Sequence, residues 1–216
     1  MTFKKISFVF VLPLFILISG CGIPKIKGNL ISSKSGAQMP DLIAILPPDN
    51  HSNDLTAVEV VQRAGGVMLT TKGYYSIANK AQDAELQKMG ISDGGQLKAY
   101  RAENICKSLG AEGLLYSTVE DFNEINIGFW ISKKVQMKMS LTDAKGENLW
   151  EGEALYRIRK LVINPQEAAQ AFVERKVGEL VEKALRVHLV PETNQAAVAL
   201  AQKITPWPNP QDAQRR

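Results

Sequence analysis

The sequence predicts a single α/β domain: a mixed sheet of about five strands with helices packed on it, in the order β-α-β-α-α-β-β-β-α. Three observations carry this expectation. Leu42–Leu46 (LIAIL) is an unbroken apolar run stopped by Pro47-Pro48, the pattern of a strand buried on both faces. Residues 135–158 alternate apolar with polar in two runs joined by Asp143-Ala144-Lys145-Gly146-Glu147, which reads as an antiparallel hairpin. Stripes of helical period, bounded by cap residues, lie between and after these strands.

Each element follows in order. Asp54 caps a helix running to about Thr71, with Leu55, Val58, Val61 and Met68 near one face. Gly65-Gly66 lies inside it, and each glycine costs roughly 1 kcal/mol against alanine. The helix therefore breaks there or packs closely on a strand. Tyr74–Ile77 is a short second strand. Asn79 caps a helix ending at Met89, with Gly90 in the left-handed stop position, and a third helix spans about Gln96–Leu109 before Gly110. Gly113–Asp121 is apolar on both faces at first, which puts it at the sheet centre. Val135, Met137, Met139 and Leu141 form the covered face of the next strand, and Trp150, Gly152, Ala154, Tyr156 and Ile158 that of the returning one. Asn164-Pro165, with Glu167 at the capping-box position, opens a long helix whose stripe includes Phe172, Leu180 and Leu185. That closes a domain over residues 41–190. After Pro191 the pattern ceases. Pro206, Pro208 and Pro210 mark residues 191–216 as a disordered tail holding at most a short helix at Gln195–Gln202.

The start of the chain carries an address. Lys4 and Lys5 precede an apolar stretch from Ile6 to Ile18, interrupted by Ser7 and Pro13. It falls short of the roughly 20 apolar residues that span a bilayer, so residues 1–20 read as a secretory signal. Ile18-Ser19-Gly20-Cys21 resembles the bacterial lipobox. In that resemblance the Cys21 thiol receives a diacylglycerol, the signal is cut ahead of it, and the new amine takes a palmitate-type acyl chain. Two or more chains anchor a protein stably. Gly22, in place of a retention aspartate, points to the outer membrane and its periplasmic side. Residues 21–40 are poor in periodicity and rich in Ser, Gly and Lys, which reads as a lipidated flexible tether.

Composition bounds the rest. The chain has 216 residues, 45% hydrophobic and 22% charged, enough for one core and too balanced for global disorder. Loss of Lys4 and Lys5 with the signal lowers the formal charge from +4 to +2, so no basic face for nucleic acid is expected. Two cysteines make neither a disulfide framework nor a Cys-based zinc site.

Candidate chemistry is sparse. Loop 47–54 follows the first strand, where open α/β sheets take their ligands. It holds no glycine, so it is no phosphate cradle. Asp49, Asn50 and His51 are its candidate ligand or partner contacts, although Asp49, Asn50, Ser52 and Asp54 are equally what turns and caps use. One histidine with flexible carboxylates is a weak metal set, and His188 near a helix end suits the dipole. No Gly-x-Ser-x-Gly motif is present. Cys106, among Ala102, Ile105 and Leu109, reads as a buried inert thiol, with an intermolecular disulfide as the alternative. Phe129 and Trp130 follow Gly128 between two strands. They either pack at a strand start or stand at a hairpin tip for a partner or membrane. No catalytic residue, cofactor or metal is expected.

Four separated motifs carry a resemblance. They are Leu46-Pro47-Pro48-Asp49-Asn50-His51-Ser52-Asn53-Asp54, Gly73-Tyr74-Tyr75, Gly110–Tyr116 (GAEGLLY) and Leu141–Gly152 (LTDAKGENLWEG). Over residues 41–160 the chain resembles a family of bacterial lipoproteins of unassigned function that includes a genome-derived neisserial antigen. That family's fold is similar to the amino-terminal domain of TolB and to the curli-export lipoprotein CsgG. Ser92-Asp93-Gly94-Gly95 departs from the pattern by its glycines, and the tail has no counterpart. The resemblance implies a non-catalytic accessory or assembly module of an envelope transport or export system. Its implied partners are the bilayer through Cys21, other envelope proteins such as a transporter or export complex, and further copies of itself. The alternative is a periplasmic small-ligand binder or enzyme with its site at loop 47–54.

Overall fold

In the computed structural model, residues 23–77, 80–127, 129–162, 173, 176–177 and 188–206 are described. The strands are β1 (Lys25–Ser33), β2 (Leu42–Ile45), β3 (Asp49–Asn50), β4 (Tyr75–Ile77), β5 (Gly113–Asn126), β6 (Trp130–Asp143) and β7 (Asn148–Leu161). The helices are α1 (Thr56–Thr71), α2 (Lys80–Lys88), α3 (Ala102–Leu109) and α4 (Val190–Ala201), with a 3-10 turn at Gly94–Ala99. The strands form one open seven-stranded sheet in the order β1-β7-β6-β5-β2-β4, and β3 joins β5 to the side.

The predicted α/β class with a mixed sheet is what the chain adopts. The apolar run at β2 is parallel to both β4 and β5, as a strand without an alternating pattern should be. The alternating runs at β6 and β7 are antiparallel to each other and, through β6, to β5. Val135, Met137, Met139 and Leu141 point inward from β6, facing Trp150, Ala154 and Tyr156 of β7 in one buried cluster with α1 and α4. A second cluster on the opposite face joins Ala44, Leu46 and Leu114 to Leu86, Leu97 and Ile105.

Helix α1 is unbroken through Gly65-Gly66. A Cβ on Gly65 would stand 2.9 Å from Leu115 Cδ2, so close packing on the sheet is the reason for the glycine. Ala57, Val60, Val61, Ala64, Met68 and Leu69 make the buried stripe, whereas Leu55, expected on it, is 87% exposed. The helix expected over Gln96–Leu109 is two pieces. Asp93 and Gln96 form a capping box that starts the 3-10 turn, and extended backbone at Tyr100 and Arg101 separates it from α3. Gly94 is required there, because a Cβ would meet the Pro48 carbonyl carbon at 2.2 Å.

Two sequence expectations are corrected. Residues 21–40 do not read as one flexible tether, because β1 pairs with β7 from Lys25↔Arg157 to Ser33↔Trp150. Its residues are exposed along nearly the whole length, so an edge strand left no hydrophobic alternation to detect. The tail expected over 191–216 is ordered in its first part. Leu189 takes a left-handed conformation, Pro191 sits in the first turn of α4 where it is tolerated, and Ala196, Ala197, Leu200, Ala201 and Ile204 are no more than 2% exposed. Trp150 Nε1 donates to the Lys203 carbonyl at 3.1 Å, and a Cβ on Gly28 would stand 2.4 Å from the Ala199 carbonyl oxygen. Helix α4 therefore rests directly on β1 and β7. Of the helix expected from Asn164 only residues 173, 176 and 177 are described, and they are helical; the rest of it, the signal, Cys21, the Asn79 cap, Gly128 and residues 207–216 lie outside the described residues. Among the described residues no helix is long and apolar enough to cross a membrane.

Candidate functional site

Loop 47–54 is built from its own polar side chains. Asp49 and Asn50 form β3 beside Thr118 and Val119 of β5. Asn50 donates from Nδ2 to the Asp54 carbonyl at 2.8 Å and accepts from the Ser52 amide and hydroxyl at 3.0 and 2.7 Å. Asp54 Oδ1 accepts from the Thr56 amide at 2.8 Å, the cap expected for α1. Asn50 is therefore committed to the turn.

Asp49 and His51 lie in a chain of surface charges. Asp49 pairs with Lys98 at 2.8 Å and with His51 Nε2 at 3.3 Å. The Lys98 hydrogen bond holds the Asp49 carboxyl below its usual range. His51 Nδ1 lies 3.8 Å from Glu120, which also meets Lys138 at 3.3 Å. Among the described residues, no three His, Cys, Asp or Glu side chains converge in a group suited to a metal. A cavity beside the loop, bordered by Pro47, Val58, Gln62, Asp83 and Ile91, has a volume of about 240 Å³. That is below the roughly 300–1,000 Å³ of ordinary ligand sites.

A second polar cluster was not read from the sequence. His188 Nε2 lies 2.5 Å from Asp54 Oδ2, and its Nδ1 lies 3.6 Å from Glu124 Oε2. Hydrogen bonding to Glu124, with that to Asp54, pushes the ring pKa up to about 9, against the opposing effect of burial. The Phe122 ring meets the imidazole edge-on with centroids 5.1 Å apart. Lys133 sits between Glu192 at 2.9 Å and Glu124 at 3.4 Å. Burial opposes its charge, but the two carboxylates outweigh burial and raise its pKa. Asp54, His188, Glu124, Lys133 and Glu192 thus alternate in sign and tie the start of α1, β5, β6 and the start of α4 together. The cross-strand pair Glu124↔Lys133 was the available signal.

The aromatic pair lies elsewhere. Phe129 is 62% exposed at the β5–β6 tip, together with Ile127 at 59%, and Trp130 starts β6 half-buried opposite Leu161. From the β3 contact at Val119 to the end of β5 at Asn126 is roughly 23 Å along the strand. The fold does not bring the two groups of named residues together. Cys106 is the buried thiol expected, 3% exposed, with its pKa pushed up to about 11 by burial.

With this geometry in hand, residues 33–203 match the family described as "Putative lipoprotein GNA1162-like". The chain belongs to this family. The family read from the four sequence motifs is thereby borne out. A lipoprotein of Neisseria meningitidis serogroup B, NMB1124/NMB1162, is 26% identical over 119 residues, 55% of either chain, so the chain spans about half the length of that relative. Among solved structures, lipoprotein GNA1162 from Neisseria meningitidis is 23% identical, covering 66% of this chain and 99% of that one at a TM-score of 0.49. The PelC dodecamer from Paraburkholderia phytofirmans is 11% identical, with 84% and 98% covered at 0.49. The LpoB C-terminal domain from Escherichia coli is 20% identical, with 56% and 86% covered at 0.40. Likenesses at these scores carry no argument about function.

Proposed function

We propose that this GNA1162-like protein is a lipid-anchored envelope lipoprotein, held on the periplasmic side of the outer membrane by acylated Cys21. It works there as a non-catalytic accessory or assembly module of a transport or export system, with other envelope proteins or further copies of itself as partners. One observation carries the reading: a lipoprotein-family match over residues 33–203, preceded in the same chain by the Ile18–Cys21 lipobox. The geometry of loop 47–54 supports it over a small-ligand site, since Asn50 and Asp54 hold the turn and the adjoining cavity is small.

Cys21→Ser tests the anchor. The unsubstituted protein should fractionate with outer membranes and carry the mass of its acyl chains. The variant should lose the acyl mass and appear in the soluble periplasmic fraction. Retention of the variant in the membrane with unchanged processing would overturn the anchor. Turnover of a small substrate by the purified protein would overturn the non-catalytic role.

A further inference from the structure

The register of the sheet places the anchor and the apolar tip at the same end of the molecule. Strand β5 runs toward the tip, β6 away, β7 toward it, and β1 away again. The leading residue of β1, Lys25, pairs with Arg157, while Trp130 beside the tip pairs with Leu161. The four steps along β7 from Arg157 to Leu161 are roughly 13 Å. Four steps of chain lead from Cys21 to Lys25, a reach of at most roughly 14 Å. The reach from Lys25 thus allows the acylated residue to stand level with the tip.

The same end carries the composition of an interfacial surface. Ile127 and Phe129 at the tip, Leu161 beside it and Ile23 ahead of β1 are 59%, 62%, 43% and 80% exposed. Exposed Lys25 and Arg159 flank them and form no ion pair among the described residues. Apolar side chains at a tip, with the exposed cations Arg159 and Lys25 behind them on the same end and an acylated Cys21 within reach, match a phospholipid leaflet with anionic headgroups.

We propose that the β5–β6 tip is a bilayer-contact surface: Ile127 and Phe129 enter the interfacial layer of the leaflet that holds the Cys21 acyl chains, while Lys25 and Arg159 lie against its anionic headgroups. This rests on the anchored reading above. It sets the long strands steeply to the membrane and turns the Lys145–Glu147 end, at the opposite tip, toward the periplasm. Partner contacts would then fall on the flanks and far end of the sheet.

The test uses the full mature protein, acylated in cells and reconstituted at low density into vesicles of phosphatidylethanolamine and phosphatidylglycerol. A nitroxide is attached at Phe129→Cys, at Ile127→Cys as a second site, and at Lys145→Cys at the opposite tip. Collisions with dissolved oxygen should exceed those with a water-soluble nickel chelate several-fold at 127 and 129, with the order reversed at 145. Nickel-dominated collisions at 127 and 129, as at 145, would overturn the proposal. Spin–spin broadening at 129 that disappears on dilution with unlabelled protein would assign the tip to a second copy, and would also overturn it. Absence of the acyl mass removes the anchor and this placement together. An acylated chain with a hydrated tip removes the placement alone.

Discussion

The two hairpin ends of the long strands are made in opposite ways. At the β6–β7 end, Asp143 Oδ1 accepts from the amides of Lys145 and Glu147, both at 2.9 Å, and Gly146 supplies a φ of 84°. Glu147 also pairs with Lys34. Polar groups hold that turn together, and its one apolar side chain, Ala144, packs on the second cluster. At the β5–β6 end the backbone closes on itself, with the Ile127 amide donating to Trp130 at 3.0 Å and the Val162 amide to Phe129 at 2.8 Å. The Ile127 and Phe129 side chains hang outside this scheme. A turn does not need them, so their exposure points to something beyond folding.

The comparison assumes one stiff sheet between the two ends, and its largest test removes the element that stiffens it. Truncation after Leu189 would strip α4 from β1 and β7 and uncover Trp150 and Ala154. A single buried Leu→Ala change costs about 2–5 kcal/mol, against a whole stability of about 5–15 kcal/mol. Losing Leu200 with four further buried residues should abolish the cooperative thermal transition seen by circular dichroism. A truncated chain melting within a few degrees of its parent would show that both ends stand without α4.

What was legible follows from how each element meets water. Strands β2, β6 and β7 and helix α1 bury a face, so composition and period announced them. Strand β1 was missed because Lys25–Ser33 is exposed along nearly its whole length, and its one demanding position is Gly28 under Ala199. Helix α4 was read only as a short helix at Gln195–Gln202 in a disordered tail: Pro191 reads as a breaker at its start, and its small alanines bury completely without a strong apolar stripe to announce the docking. At the candidate sites, Asp49 and His51 meet across two positions of chain, a proximity that sequence spacing alone makes available. His188 was read only against a helix dipole, because its partners Asp54 and Glu124 are 134 and 64 positions away in sequence. Long-range ion pairs leave no local pattern.

That ion-pair chain supplies the next test, of intermediate size. The pKa of His188 is raised from 6.5 to about 9 in the folded protein. Its contribution is therefore fully present below about pH 6.5 and fades as the pH climbs through about 9. The lowered pKa values of Asp54 and Glu124 act at the other limb, contributing at neutral pH and fading in acid. After allowance for partial exposure, the alkaline loss should be about 1–2 kcal/mol. Urea titrations at pH 6 and pH 9.5 measure it, and His188→Gln should flatten the difference. Because Glu124 and Lys133 lie on the tip-ward part of β5 and β6, an unchanged pH response in the variant would detach this cluster from the stability of that end.

The finest test sets the two tips against each other in the same assay. Asp143→Ala removes the acceptor of two backbone amides and should cost about 1–2 kcal/mol, or roughly 3–6 °C in melting temperature. Phe129→Ser replaces a side chain that is 62% exposed and should change stability by less than about 0.5 kcal/mol. The membrane response should invert that order: Phe129→Ser should raise the nickel collision rate of a label at 127, while Asp143→Ala should leave it unchanged. If Phe129→Ser lowers the melting temperature as far as Asp143→Ala does, the phenyl ring is packed and the apolar end is a structural cap. If neither variant alters the label at 127, that ring does not help to hold the tip in the bilayer. Only a stability loss at one end, paired with a hydration change at the other, fits a sheet held together at its polar turn and in contact with lipid through its apolar one.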